Sequence, residues 1–123
     1  MNHVVTFLLT QNPDAAVKFY RDTLGLTYIR DDGFALVFDT MGVPLRISKV
    51  PKFTPAQHTV LGWETSDIQL ELAELVKKGV TFERYPNMGQ DEQGICTFPG
   101  GSKVAWFKDP DGNVLSISQH DAG

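Results

Sequence analysis

An internal repeat constrains this chain more than any other feature. Gly25-Leu26-Thr27-Tyr28 returns in the second half as Gly79-Val80-Thr81-Phe82, and Arg30 is answered by Arg84. Val5 and Thr10 return at nearly the same spacing, as Val60 and Thr65. Gly42, Leu45, Ile47 and Ser48 return at a wider one, as Gly112, Leu115, Ile117 and Ser118. Both halves must therefore take one order of elements. The widening falls between Arg84 and Gly112 and places an insertion in the second half, at Pro86–Gly101.

Local patterns supply that order. His3–Thr10 is rich in β-branched and aromatic residues and reads as a strand. Asn12 stands at an N-cap position with Pro13 at the first helical residue, and Asp14 suits the positive end of the helix dipole. Ala16, Phe19, Tyr20, Thr23 and Leu24 form one helical stripe that Gly25 ends. Leu26–Arg30, Phe34–Asp39 and Pro44–Val50 read as strands, and 51–57, with two prolines, as a linker. The second half repeats this: strand Thr59–Thr65, N-cap Ser66, and a helix with Ile68, Leu72, Leu75 and Val76 inward, closed by Gly79. Strands Val80–Tyr85, Ile95–Phe98, Ser102–Phe107 and Val114–Ser118 follow. Asp109-Pro110-Asp111-Gly112 has the residues of a type I turn, and after it Val114, Ser116 and Ser118 alternate with Leu115 and Ile117.

Composition narrows the function. A chain of 123 residues is one domain by size. A net charge of −4 argues against a nucleic-acid surface. No run approaches the ~20 apolar residues of a membrane span, and Met1–Val5 lacks the marks of a signal peptide. The one cysteine, Cys96, excludes an intramolecular disulfide and a cysteine zinc cage, and reads as structural. A cytoplasmic location is the expectation.

Two βαβββ modules, a Phe-Tyr helix ending in Leu-Gly, and Asp-Pro-Asp-Gly-Asn before the last strand together resemble the vicinal oxygen chelate superfamily, which includes glyoxalases, extradiol dioxygenases and bleomycin-resistance proteins. The resemblance implies an α+β fold over 1–123: tandem modules (about 1–50 and 58–120) forming a curved mixed sheet around a cleft, helices outside. It also implies a homodimer. In metal-dependent members, four inward side chains of His, Gln or Glu type hold one divalent ion. The matching positions here are Val5, Arg46, Val60 and Ser116, which cannot replace such ligands. A site displaced along the strands could use His3, His58 and His120.

Arg46 could hold an anion bidentately or pair internally with Glu64; a buried pair of that kind would also suit acid–base work. Phe7 shares the face of Val5. Trp106 and Phe107 point opposite ways, so one of them faces the cleft, while Leu61 and Trp63 lie opposite Val60, Gly62 and Glu64. Phe7, Arg46, Glu64, Trp106 and Ser116 are the candidate ligand contacts, and Glu64 and Arg46 the candidate catalytic pair. Residues 86–101 are open to two readings, a lid over the cleft or a plain surface loop, with Tyr85, Asn87 and Gln90 as candidate polar contacts. The leading expectation is a metal-free protein, without cofactor, that binds a small aromatic or anionic molecule in a dimer cleft. The alternatives are a lyase or dioxygenase with a divalent metal on the displaced histidines, and a metal-free enzyme using Glu64 and Arg46.

Overall fold

The repeat is realised in the strand order of both halves, except at Val80–Tyr85, the segment that repeats the second strand of the first half. A computed structural model describes residues 1–120; residues 121–123 of the expected domain lie outside the described residues. The first half runs β1 (Thr6–Thr10), α1 (Pro13–Val17) continuing as a π-helical turn (Lys18–Thr23), β2 (Thr27–Asp31), β3 (Ala35–Thr40) and β4 (Val43–Lys49). The second runs β5 (Thr59–Glu64), α2 (Ile68–Lys77), β6 (Cys96–Thr97), β7 (Lys103–Lys108) and β8 (Val114–Gln119). Each half builds a four-stranded mixed sheet, ordered β1-β4-β3-β2 and β5-β8-β7-β6. Thr6, Phe7 and Leu8 stand opposite Leu45, Arg46 and Ile47 in the first sheet. Leu61, Gly62 and Trp63 stand opposite Leu115, Ser116 and Ile117 in the second. These are the same pairings carried forward by the repeat.

The chain divides into two compact units, residues 1–55 with the turn Asp109–Asn113, and the remainder from Ala56. In the first unit, alternation sends Leu8, Leu36, Phe38, Leu45 and Ile47 to one face of the sheet, where they are buried. Tyr20 packs there too, with its ring 5.8 Å from that of Phe38. Fully buried, it must find a partner for its hydroxyl, and that partner is Asp109. Tyr20 Oη donates to Asp109 Oδ2 at 2.6 Å, and Asn113 Nδ2 donates to the same oxygen at 2.8 Å. Asp109 Oδ1 accepts from the backbone N–H groups of Asp111 and Asn113, each at 2.9 Å. Gly112 N donates to Asp109 O at 3.0 Å, closing the four-residue turn with Gly112 at φ +90°. Burial pushes the Asp109 carboxyl above its ordinary range, opposed by these donors, and pushes the Tyr20 hydroxyl up as well, helped by the Asp109 charge. The neighbouring Asp111 accepts from buried Thr10 through one oxygen and from Gln11 N at 2.7 Å through the other.

In the second unit, Ala105, Phe107, Leu115 and Ile117 are buried beside Ile68, Leu72 and Leu75 of α2. Phe107 and Trp106 do point opposite ways. Phe107 is the inward one, 5.4 Å from the Phe82 ring, and Trp106 lies on the other face beside Ser116.

Several expected boundaries are corrected. β1 starts at Thr6, not His3. Asn12 occupies its cap position without capping through its side chain, and the cap of α2 is Asp67, one residue past Ser66, accepting from Leu70 N at 3.1 Å. Val80–Tyr85 is not a strand: it makes a single bridge, Phe82 to Phe107. The outer edge of β7 is instead shared, with Phe82 near its C-terminal end and β6, at the end of the insertion, pairing Cys96 with Val104. The insertion thus supplies the edge strand that β2 supplies in the first sheet.

Candidate functional site

The face of the second sheet away from α2 carries a row Gly62–Ser116–Trp106 and, before it, a row Thr59–Val114–Lys108. Between Thr59 and Leu61 the ladder slips by one residue, so Val60 has no partner on β8. Strict alternation assigns Val60 to the cleft face; the bulge leaves Thr59 opposite Val114 there instead. A β-carbon at Gly62 would lie 2.5 Å from Ser116 Oγ and 3.3 Å from Ser116 O, so a larger residue there needs Ser116 to move. Ser116 is accordingly buried in the notch that the glycine leaves.

Over these rows opens a cavity of about 370 Å³ lined by Gln57, His58, Thr59, Tyr85, Pro86, Met88, Trp106 and Val114. The Tyr85 and Trp106 rings meet edge to face, centroids 5.6 Å apart and planes at 77°. The lining holds two aromatic rings, a thioether and aliphatic carbon, with the Thr59 and Tyr85 hydroxyls, the Gln57 amide, the His58 imidazole and the Trp106 indole N–H as its polar groups. It contains no Asp, Glu, Lys or Arg. Such a surface desolvates an apolar planar molecule and orients it through few polar contacts.

The wall that carries Tyr85, Pro86 and Met88 is the start of the insertion, held by hydrogen bonds along its length. Arg84 Nη1 donates to the carbonyls of Asp91 (2.6 Å) and Glu92 (3.1 Å). Asp91 Oδ1 accepts from Gln93 N and Ile95 N, both at 2.9 Å. The buried Cys96 thiol donates to Met88 O at 3.1 Å.

The residues singled out from the sequence fall in different places. Trp106 lines the cavity and Ser116 adjoins it in the next row, whereas Glu64 is exposed at the far end of β5 beside Ser118. Phe7 and Arg46 are neighbours on the first sheet, Phe7 with 62% of its surface exposed. The partner of Arg46 is not Glu64: Nη2 donates to Asp32 Oδ2 at 2.6 Å. The Asp31-Asp32-Gly33 turn brings that carboxylate back over the sheet, its other oxygen accepting from Phe34 N (3.0 Å) and Ala35 N (2.9 Å). The Arg46 bond first, and the two backbone bonds after it, hold the Asp32 carboxyl down at about 2. Asn87 sits at a left-handed φ of +64°, and Gln90 is committed to backbone groups. Gln57, Thr59, Met88 and Val114 carried no signal in the sequence beyond their strand or loop position.

The four positions matching a divalent-metal site do not fit one. Val5 precedes β1, Val60 is the bulge residue, the Arg46 guanidinium is taken by a carboxylate, and Ser116 offers a single hydroxyl. Among the described residues no three His, Cys, Asp or Glu side chains gather into a metal-holding group. His3 is exposed ahead of β1, His58 is at the cavity, and the His120 ring nitrogens face Ser102 Oγ (3.0 Å) and Ser118 Oγ (3.2 Å). No helix among the described residues is long and apolar enough to cross a membrane.

Comparison with known proteins agrees with this architecture. The profile of the Glyoxalase/Bleomycin resistance protein/Dioxygenase superfamily matches residues 1–117. A glyoxalase/bleomycin resistance protein/dioxygenase from Nocardioides is similar at TM-score 0.72 and 19% identity, over 100% of this chain and 87% of that one. A glyoxalase family protein from Enterococcus faecalis is similar at 0.70 and 20%, over 96% and 95%. A lactoylglutathione lyase from Agrobacterium tumefaciens is similar at 0.68 and 20%, over 97% and 94%. At these identities the likeness is one of fold. A search of curated proteins gave no match.

Proposed function

The chain belongs to the Glyoxalase/Bleomycin resistance protein/Dioxygenase superfamily, and from that premise we propose that it binds a small, planar, uncharged aromatic molecule in the cavity under Tyr85 and Trp106, without a metal at the family's usual positions. One observation carries the reading: a cavity of about 370 Å³ walled by two aromatic rings and free of carboxylate, ammonium and guanidinium groups. An anionic ligand finds no Lys or Arg in that lining, Lys108 of the adjoining row is paired with Glu83 at 3.5 Å, and Arg46 already holds Asp32. An aromatic ligand gains burial of its faces, worth roughly 25 cal/mol per Å² of apolar surface removed from water, less the cost of association. The unfitting donors at positions 5, 46, 60 and 116 support the metal-free part of the proposal.

Calorimetric titration with matched pairs tests both parts, for example 2-naphthol against 2-naphthoate. The reading expects the neutral member to bind at least tenfold more tightly and Trp106→Ala to weaken it by about tenfold, or about 1.4 kcal/mol. Preference for the carboxylate would overturn it. Stoichiometric Zn, Ni, Mn or Fe in protein purified without chelators would overturn the metal-free part. We further propose a homodimer, as the resemblance implies, with the exposed Phe7 and Leu9 on the edge strand β1 as the surface that a second copy would cover.

A further inference from the structure

The Tyr85 side of the cavity lies beyond the sheet that ought to support it. The backbone of the segment after Gly79 meets β7 at the Phe82–Phe107 bridge and at the bond from Glu83 N to Trp106 O, 2.7 Å, and Glu83 also pairs with Lys108 at 3.5 Å. Two residues further on, the Tyr85 backbone has no strand beside it, yet its ring must be held against Trp106 for the aromatic corner to exist. Its N–H is taken by a side chain. Tyr85 N donates to Gln90 Oε1 at 2.7 Å, while Gln90 Nε2 donates to Glu83 O at 2.9 Å and Gly94 O at 2.8 Å.

One primary amide therefore accepts from the chain entering the loop and donates to the chain on both its entering and leaving sides. It does what a neighbouring strand would do, and both of its N–H groups are used. A carboxylate of the same length would put an acceptor oxygen, in place of Nε2, against the two carbonyls, and asparagine is one methylene too short. The rest of the loop does not depend on this group: Arg84, Asp91 and Cys96 fix its far side through separate bonds.

Resting on the reading of the cavity as a ligand site, we propose that Gln90 is a positioning residue: it sets the place of Tyr85 opposite Trp106 and so the width of the cavity, without touching the ligand. The insertion is then a preformed wall whose bound and free shapes agree, and ligand size is selected by the Gln90 bridge.

The test compares wild type, Gln90→Ala, Gln90→Glu and, as a control in the same loop, the exposed Gln93→Ala. Amide hydrogen exchange is read without ligand. Gln90→Ala is expected to speed exchange at the Tyr85 amide at least tenfold and to leave the Ile95 amide, bonded to Asp91, within threefold of wild type. The neutral dye N-phenyl-1-naphthylamine then probes the cavity, by energy transfer from tryptophan. Its affinity is expected to fall about tenfold in Gln90→Ala and in Gln90→Glu at pH 7, to recover in Gln90→Glu as the pH is lowered toward 5 and its carboxyl regains a donor, and to be unchanged in Gln93→Ala. Equal Tyr85 exchange in wild type and Gln90→Ala would overturn the proposal, as would altered exchange with unaltered dye affinity. If the dye fails to bind wild type, the ligand-site reading falls, and the Tyr85 exchange alone then decides whether Gln90 holds the wall.

Discussion

Replacing Tyr20 by Phe removes one oxygen atom and tests why the Asp-Pro-Asp-Gly-Asn turn has its sequence. The Tyr20 ring is fully buried, and its hydroxyl has one role, donation to Asp109 at 2.6 Å. A hydrogen bond to a charged acceptor contributes about 1.5–3 kcal/mol. Asp109 keeps three other donors after the change, from Asp111 N, Asn113 N and Asn113 Nδ2, so it is not orphaned. The lower part of the range applies, about 1.5–2 kcal/mol. With an unfolding entropy of about 2.1 cal/mol/K per residue over 123 residues, Tm should fall by about 6–8 °C. Asp109→Ala should cost more, about 3–5 kcal/mol, because it strands the buried tyrosine hydroxyl and two backbone N–H groups together. The double variant should lose less than the sum of the two. Chemical and thermal denaturation by circular dichroism measure all three. The pH dependence is a second check. Burial raises the Asp109 carboxyl, so in the window just above its ordinary value the folded state binds the proton that the unfolded chain has released. Stability from this group therefore falls as pH rises through that window. The Tyr20→Phe penalty should shrink as pH is lowered through the Asp109 titration, because the acceptor loses its charge. A neutral-pH loss below about 0.5 kcal/mol, the bottom of the range for any net hydrogen bond, would refute the reasoning. Strict additivity with Asp109→Ala would do the same.

The Asp32 carboxyl should titrate near 2 by carbon NMR and move up toward the ordinary value of about 4 in Arg46→Ala. Because its folded-state pKa is depressed, its contribution to stability is present above about pH 4 and is lost as pH falls through 2; a normal titration in wild type would contradict the ion pair. Arg46→Ala should leave dye affinity within twofold of wild type, since Arg46 is not among the cavity lining, and a tenfold loss in a fluorescence titration would return it to the ligand site. Gly62→Ala should destabilise through crowding by Ser116 Oγ, by up to about 1–3 kcal/mol, and Ser116→Gly in the same chain should recover most of that loss on urea titration. Sedimentation equilibrium should show a dimer that Phe7→Asp weakens, and a monomer at all concentrations would reject the proposed association.

Much of the fold was legible because it rests on periodicity and on turn chemistry. The opposition of Trp106 and Phe107 follows from alternation, and the equivalence of Arg46 with Ser116 follows from the spacing of the repeat. The bulge at Val60 did not show, because one extra residue in a strand changes neither composition nor hydrophobicity; it moved Thr59 to the cavity face, where alternation had placed Val60. Arg46, for which the sequence offers either an external anion or Glu64, pairs with neither of these but with Asp32. Face alternation pointed to Glu64, while the actual carboxylate arrives from the turn between β2 and β3, whose path alternation does not describe. Gln90 was visible as a polar loop residue, but its partners are backbone groups, and these leave no trace in side-chain patterns. The segment Val80–Tyr85 has strand composition and repeats a real strand, yet the insertion takes over part of its edge position.

The central claim is that the ligand site is the aromatic cavity of the second sheet and not the face that carries Arg46. Titration of 2-naphthol into nitrogen-15-labelled protein, followed by amide and indole shifts, tests it directly. Saturable changes at the Trp106 indole and at the amides of Tyr85, Met88 and Thr59, with Phe7, Arg46 and Asp32 still, are the predicted result. Changes centred on Phe7 and Arg46 that leave the Trp106 indole unmoved would contradict it.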